Sequence, residues 1–559
     1  MSLNAGSDEQ EGGTGVFAPL REKPFRRIWT ASVLSNFAQL FLGVGAAWEM
    51  TRLSSSPSMV ALVQTAMMLP MMIVTLPAGA VADMFDRRKI AMMGLAFASL
   101  SAAGLAIVAH LGLITPWLLL FFCVQIGAGV ALYSPSWQAS IPEQVSRKNL
   151  PAAIGLGTIS FNVARSFGPA LGGLIVVAVG AKVVFGITSL LYIPLMLAFF
   201  FWKRNHVPSR LPPERIDRAI VGGARYALHS PSIRTSLIRV FMFGLMSASA
   251  VALAPLVAKD ILKGDAATFG ILLGSQGVGA VLGALFVGQL REHFSTEDSV
   301  RTFAVGTGLA LVMLGYSDTL ILACIAFFVI GACNILSIAL LNVSVQLSAP
   351  RWVTARALSL FFSAITAGVG IGAWAWGEFA GLYSVQFAFI VSGCAAMATA
   401  FLGLVFPLTR DQEGDSANDM VQIGQDPKES LGLTLRSGPI SLEVEYEVDP
   451  KRARDFYDVM MDMQRVRKRI GAFDWSISRD IEDPAIWTER YHCPTWGDYL
   501  RMRDRYTQMD LDVQASASAY NLSGDVRRIR RRLVRPFGSV RWKADSPDPY
   551  QETIDYIGS

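Results

Sequence analysis

Gly79-Ala80-Val81-Ala82-Asp83-Met84-Phe85-Asp86-Arg87-Arg88-Lys89 decides the fold. Before it, Met59 to Ala82 holds no charged residue. After it comes a second apolar run, Ile90 to Leu111. An acid, a tight turn and three consecutive cations between two such runs make a short loop joining two membrane helices.

Moving outward, the same alternation of apolar run and short loop continues from residue 28 to 406. The chain of 559 residues is 52% apolar and only 17% charged, against about a quarter charged in soluble domains, and its mean hydropathy is +0.40. The deficit of charge lies in this series, and the flanks have ordinary polar composition. A helix crosses ~30 Å of hydrocarbon with about 20 apolar residues. The pattern predicts twelve spans: 28–49, 58–82, 90–111, 116–138, 152–179 and 183–202, then 234–258, 267–290, 300–316, 319–342, 356–377 and 383–406. Residues 1–20, rich in Gly, Ser and acids, read as a disordered N-terminus with neither the basic n-region nor the apolar h-region of a cleaved signal.

Loop cations orient the series. One set of loops carries Arg87, Arg88, Lys89, Arg147, Lys148, Arg291, Arg301, Arg351 and Arg356. The alternate set carries Arg52, Lys182, Lys259 and Lys263. The richer set, with the basic residues before the first span, is expected on the cytoplasmic side of the cytoplasmic (inner) membrane. An even span count then puts both termini there.

The longest internal connection, 203–233, divides the spans into a half at 21–202 and a half at 234–406. Ile216, Ala219, Ile220, Gly223, Tyr226 and Ala227 recur at helical spacing, with Arg215, Arg218 and Arg225 between them. The pattern fits an amphipathic helix on anionic lipid or a soluble linker helix. Gly288-Gln289-Leu290-Arg291-Glu292 ends the eighth span much as Gly79 to Asp83 ends the second. The echo points to a transporter built by internal repetition.

After Phe406 the character changes. A polar linker, 407–439, leads to a period-two strand in which Ile440, Leu442, Val444, Tyr446 and Val448 alternate with polar residues. A helix follows, with Ala453, Phe456, Met460, Met463, Val466 and Ile470 on one face. Then come alternating segments at 472–480 and 486–492 and a helix at 495–512. The order β-α-β-β-α predicts a small soluble ferredoxin-like α+β domain over 440–522. The basic tail, 523–559, holds Arg527, Arg528, Arg530, Arg531, Arg532 and Arg535. It reads as a lipid-touching segment or a solvated helix face. It lacks the interleaved aromatics of a nucleic-acid binder.

No nucleophile–base pair, metal-ligand set or phosphate-cradling loop is visible, so neither cofactor nor metal is expected. The five cysteines have no ligand or redox spacing and read as packing residues.

Gly79, Asp83, Arg87 and Arg88 resemble the cytoplasmic loop signature of the major facilitator superfamily. Asp86 stands where that family has Gly. The resemblance implies the major facilitator fold and a cytoplasmic latch between the halves made by Asp83 and the basic loop. An acid at a membrane edge needs a partner, so Asp83 is expected to contact the basic start of the eleventh span near Arg351 and Arg356, with Glu292 as its echo in the second half. Gly155, Ala164, Gly168-Pro169 and Gly172-Gly173 are similar to the fifth-span signature of the superfamily's antiporters, which implies export. Close packing of small residues is the alternative. Cys123 occupies the place of the fourth-span Arg of the proton-coupling motif. Leu69-Pro70, Ser134-Pro135-Ser136-Trp137-Gln138-Ala139, Phe161 to Ser166 and Gln346 to Pro350 resemble the transmembrane secretion effector branch, which includes enterobactin exporters. Gly471 to Trp475, Arg479-Asp480, Thr488-Glu489 and Thr495 to Tyr499 resemble the antibiotic-biosynthesis monooxygenase-like domain. Free members of that fold self-associate through their sheets, and Tyr499 stands where a His is common in the branch.

Arg165, near the middle of the fifth span, must face the bundle interior. It suits either an anion or a structural hydrogen bond. Asn36, Gln39, Gln125, Asn162 and Asn334 complete a candidate substrate-binding set. Gly79, Asp83, Arg87, Arg88, Gly168, Pro169, Gly172, Gly173, Glu292 and Arg356 form the candidate gating set. The expected function is a proton-coupled secondary transporter exporting a small amphipathic molecule by alternating access. The tail domain is expected to regulate, self-associate or present substrate. The alternatives are a membrane-tethered cofactor-free monooxygenase-like enzyme and a non-transporting sensor.

Overall fold

The computed structural model describes residues 17–84, 86–146, 149–203, 225–350, 353–408, 433–522 and 528–534. The chain forms two compact units. One holds Met1–Asp217, Thr235–Val343 and Ser359–Leu408; the other holds Arg218–Arg234, Ser344–Leu358 and Thr409–Ser559.

The first unit is helical throughout. Its first half is α1 Lys23–Leu53, α2 Pro57–Met84, α3 Arg87–His110, α4 Pro116–Ser140, α5 Leu150–Val179 and α6 Ala181–Phe201. The second half is α7 Pro231–Leu256, continued by a π-helical turn Val257–Ile261, then α8 Ala266–Leu285, the short α9 Val287–His293, α10 Thr296–Gly315, α11 Leu320–Ser348, α12 Thr354–Leu382, and α13 Val385–Ala398, which runs on through Thr399–Phe401 to α14 Leu402–Val405. Eleven helices among the described residues are long and apolar enough to cross a membrane. The expected ninth span is α10, which is not among the eleven; its first turns carry Glu297, Asp298 and Arg301, which lower its mean hydropathy. Its packing against α13 keeps it in the bundle.

Position 86 needs no glycine. Asp86 has φ −65° and caps α3, accepting a hydrogen bond from the Arg88 amide at 3.0 Å. Each half ties the start of its third spanning helix to the end of its sixth. Arg88 donates to the Phe200 carbonyl at the end of α6. Glu297 accepts from the Leu408 amide, past α14, at 3.1 Å. This echo between halves is more specific than the Gly79/Gly288 likeness, because it is made by contacts.

In the second unit a four-stranded antiparallel sheet has the order β2-β3-β1-β4: β1 Ile440–Glu447, β2 Phe473–Arg479, β3 Ile486–Cys493 and β4 Arg528–Leu533. Helix α15, Ala453–Ile470, presents Phe456, Met460, Met463, Val466 and Ile470 to the face carrying Leu442, Val444 and Tyr446. The expected helix at 495–512 is two, α16 Trp496–Arg503 and α17 Gln508–Ser518. Thr507 and Asp510 form a capping box that starts the second afresh.

Over 528–533 the arginine run is not a helix face. It is edge strand β4, with Arg528, Arg530 and Arg532 registered against Glu445, Glu443 and Ser441 of β1. Arg531, on the other face, donates to the Tyr499 hydroxyl at 2.7 Å. Sequence periodicity missed the strand because alternating Arg residues carry no hydrophobic signal; their alternation is one of charge partners. The interfacial helix expected within 203–233 lies outside the described residues apart from 225–229, which are helical.

Candidate transport site

Among the described contacts, the halves of the helical unit meet closely along the crossing of α5 and α8. Small residues make it possible. A Cβ on Gly270 would lie 2.7 Å from the Pro169 carbonyl oxygen, and one on Gly173 would lie 3.0 Å from the Gly270 Cα. A Cβ on Gly277 would lie 2.6 Å from the Arg165 carbonyl oxygen and would overlap the Ser166 backbone. Further joining contacts lie at the ends of the helices away from the basic loops. Lys259 donates to the Thr51 carbonyl, Trp48 stacks on Phe269, and a Cβ on Gly377 would press on Ala61 and Ser58. Nearer the middle, the Thr65 hydroxyl donates to the Gly370 carbonyl at 2.8 Å.

The contacts of α5 divide its surface, using 100° per residue. Ser160, Gly168 and Gly172 face α1: the Asn36 amide donates to Ser160 Oγ at 3.0 Å, and the two glycines lie against Leu40 and Phe41. Ser166, Ala170 and Gly173 face α8. Val163, Phe167, Leu171 and Leu174 are exposed on the outer side. Thr158, Asn162 and Arg165 fall in the remaining sector, between the α1 face and the α8 face. On α1, Asn36, Gln39 and Gly43 share one face by their spacing of three and four, and nothing lies within 4 Å of where a Gly43 Cβ would be. The fold thus brings Asn36, Gln39, Asn162 and Arg165 onto the open faces of two neighbouring helices. Gln125 and Asn334 stand apart. Gln125 accepts from Ser101 at 3.1 Å across α3 and α4, and Asn334 is buried in α11.

In the expected gating set, Arg87 bonds within its own half, to the Ala139 carbonyl at 2.6 Å and to Glu143 at 3.1 Å. Gly168 and Gly172 serve the α1 contact, whereas Pro169 and Gly173 serve the α8 crossing. Arg356 is half-buried in the first turn of α12. Gly79, Asp83 and Glu292 lie in helices α2 and α9, but their side chains fall outside the described residues.

Sequence reasoning missed Arg239 and Glu297. The Arg239 guanidinium, 4% exposed, holds Glu297 through two hydrogen bonds, one of them at 2.9 Å. Arg301 Nε adds a third at 2.6 Å. One carboxylate thereby closes α7, α10 and the chain after α14 together. Arg239 was visible as a cation five residues inside a span, yet its partner lies fifty-eight positions away. Glu297→Ala leaves a buried cation without its acid, and is expected to cost about 3 kcal/mol. Thermal unfolding in detergent should show the loss, and an unchanged midpoint would contradict it.

In the second unit, the connection between the halves grips the end of α15. Arg225 donates to the Gly471 carbonyl at 3.5 Å, at the negative end of the helix dipole. Tyr226, almost fully buried, lies with its ring 5.6 Å from the guanidinium of Arg469, which also pairs with Asp510. Burial pushes the Tyr226 phenol up to about 12, against the pull of Arg469. The domain interior holds a bidentate ion pair, Arg467 to Glu489 at 2.9 and 3.2 Å. Tyr446 and Trp475 donate to the same carboxylate at 3.2 and 3.0 Å. The Glu489 carboxylate is thus engaged by three neighbours, and Tyr499 is engaged by Arg531.

Comparison with known proteins agrees with the geometry. A multidrug efflux pump, Tap, of Mycolicibacterium fortuitum is 22% identical over 68% of this chain and 96% of its own length. The enterobactin exporter EntS of Salmonella typhimurium is 25% identical over 62% of this chain and 84% of its own. Among solved structures, a bacterial homologue of the human lysosomal transporter Spinster, inward-facing and unoccupied, superposes with a TM-score of 0.55 at 13% identity, covering 70% of this chain and 96% of its own. A peptide-transporter-family structure gives 0.56 at 12% identity. Residues 14–536 match the family described as transmembrane secretion effector, and the chain belongs to that family of major facilitator membrane transporters.

Proposed function

We propose that this chain is a secondary exporter of the cytoplasmic membrane, moving a small amphipathic molecule outward by alternating access with protons as the coupling ion. The observation that carries the reading is the glycine-lined crossing of α5 and α8. It closes one end between two halves that echo each other, and it sits directly beyond the polar faces of α1 and α5. With the basic loops inside, the closed end is the outer one, and the site takes its cargo from the cytoplasm. Export by Tap and EntS, as their names state, supports the direction.

Asp83 and Glu292 remain our latch residues for the opposite state, in which the inner ends meet and the outer crossing opens. Export from cells lacking the native gene tests the reading. Restoration by the wild-type chain, and a fall of at least tenfold with Asp83→Asn, are the expected results. Equal export by wild type and empty vector would end it.

For the soluble domain, the hold of Arg469 and Gly471 on the connection at Arg225 and Tyr226 favours a regulatory role over catalysis. Helix α7 begins five residues after Tyr226, so a displacement of the domain is passed to the second half through a very short lever.

A further inference from the structure

Arg165 lies fifteen residues into α5 and fourteen from its end, so its Cα is about 21–22 Å along the helix from either terminus at 1.5 Å per residue. At that depth its side chain cannot reach a membrane surface, and a cation there needs a counter-charge. The twelve predicted spans contain one acid, Glu49. It is at the far end of α1, and Arg52 pairs with it at 3.3 Å. Among the described residues the Arg165 guanidinium has neither an ion-pair nor a hydrogen-bond partner. It is half-buried and falls in the sector of α5 turned away from lipid. Among the described residues the bundle therefore carries an uncompensated positive charge at its centre, one turn from Asn162 on the same face of α5.

Resting on the exporter reading above, we propose that the missing counter-charge arrives with the cargo, and that the site selects amphipathic molecules bearing a deprotonated oxygen acid: a carboxylate, phenolate or sulfonate on an aromatic or aliphatic body. The guanidinium fork matches such groups with two parallel hydrogen bonds. Asn162 and Gln39 supply further donors, and the exposed ring of Phe161, one turn towards the basic end, gives the apolar body a surface. The position sharpens the argument. The Arg165 carbonyl is where Gly277 closes the α5–α8 crossing, so an anion held by this residue sits at the point where the halves part. Its binding is then coupled to the gate by one residue's two ends.

The test uses the full chain in everted membrane vesicles under an imposed ion gradient, with fluorescein as the anionic probe and a rhodamine ethyl ester as its cationic counterpart on the same ring system. The wild type should accumulate fluorescein at least tenfold faster than vesicles without the protein, and the rhodamine ester no faster than that background. Arg165→Gln should bring fluorescein to background, and Arg165→Lys should keep a tenth to a third of the rate. Transport of the rhodamine ester without fluorescein would overturn the anion assignment and leave the exporter standing. So would a wild-type fluorescein rate in Arg165→Gln. If neither dye moves with the wild type, the exporter reading itself fails, and this inference with it. The wild-type dye preference needs no variant, so a misfolded Arg165→Gln would not rescue the proposal.

Discussion

Gly277→Val is expected to lower export roughly 10- to 100-fold while the protein still folds. The α5–α8 crossing has no room for a side chain at this position. A Cβ there would overlap Ser166 and stand 2.6 Å from the Arg165 carbonyl oxygen. The opposing atoms are backbone, so no rotamer change relieves the clash. Overpacking of this kind costs about 1–3 kcal/mol, and each 1.4 kcal/mol is tenfold in an equilibrium. The cost falls on one state only. In the alternating-access cycle proposed above the halves separate at this end once per turnover, and in that state the valine is unopposed. The variant should therefore accumulate with the outer end open and stall. Gly331→Val is the informative contrast. Gly331 of α11 packs as tightly, but on Gln276 of α8, within the same half. No step of the cycle relieves that contact, so the loss should appear as lower yield and a lower unfolding midpoint instead of a conformational bias. Wild-type export by Gly277→Val would remove the crossing from the transport cycle. A folding defect equal to that of Gly331→Val would make it ordinary packing.

The sequence carried the membrane architecture well because its cause is local. A run of apolar residues is a helix in lipid whatever its neighbours, and loop cations mark a side. The close approach of α5 was legible for the same reason, since Gly168 to Gly173 can be seen to be small. What they approach was not legible. Gly168 and Gly172 meet α1, and Gly173 meets α8, from the same short motif. The polar candidates sorted by helix face, which spacing alone permits only once the neighbours are known. Asn36, Gln39, Asn162 and Arg165 came together, and Gln125 and Asn334 did not. Long-range charge pairs were invisible. Arg239 and Glu297 sit on different helices, and Arg467 and Glu489 on a helix and a strand, with no local pattern linking them. Strand β4 was missed because its alternation is written in arginines that answer Glu443 and Glu445 of another strand.

Glu489→Ala is expected to unfold the soluble domain in a substantial fraction of molecules, and it shows whether that domain acts on transport. Glu489 is fully buried and accepts from Arg467, Tyr446 and Trp475. Burial alone would lower the affinity of Arg467 for its proton. Glu489, Tyr491 and Tyr506 outweigh it and hold the guanidinium well above its ordinary range. A folded pKa raised in this way contributes stability at all pH values below the unfolded one and loses it only above the ordinary arginine range. Arg467 therefore stays charged at any working pH, and mutation is the way to break its pair. Removing one partner of a buried pair costs about 3–5 kcal/mol, against a total stability of about 5–15 kcal/mol for a domain. Replacing both, as Arg467→Met with Glu489→Leu, should recover most of the loss, because no unpaired charge remains. Cys493 reports the outcome. It is buried against Met502, Sγ to Sδ 3.8 Å, and burial pushes its thiol up to about 12. In the wild type it should resist iodoacetamide at pH 8, in Glu489→Ala it should be alkylated, and in the double variant it should be protected again, as read by peptide mass spectrometry. Protection of Cys493 in Glu489→Ala would show the ion pair to be dispensable. Export measured on the same three proteins then separates two roles. If export falls with the alkylation of Cys493 and returns in the double variant, the domain acts on the cycle through its grip on Tyr226. If export is unchanged throughout, that grip is structural, and the regulatory role proposed for the domain is wrong.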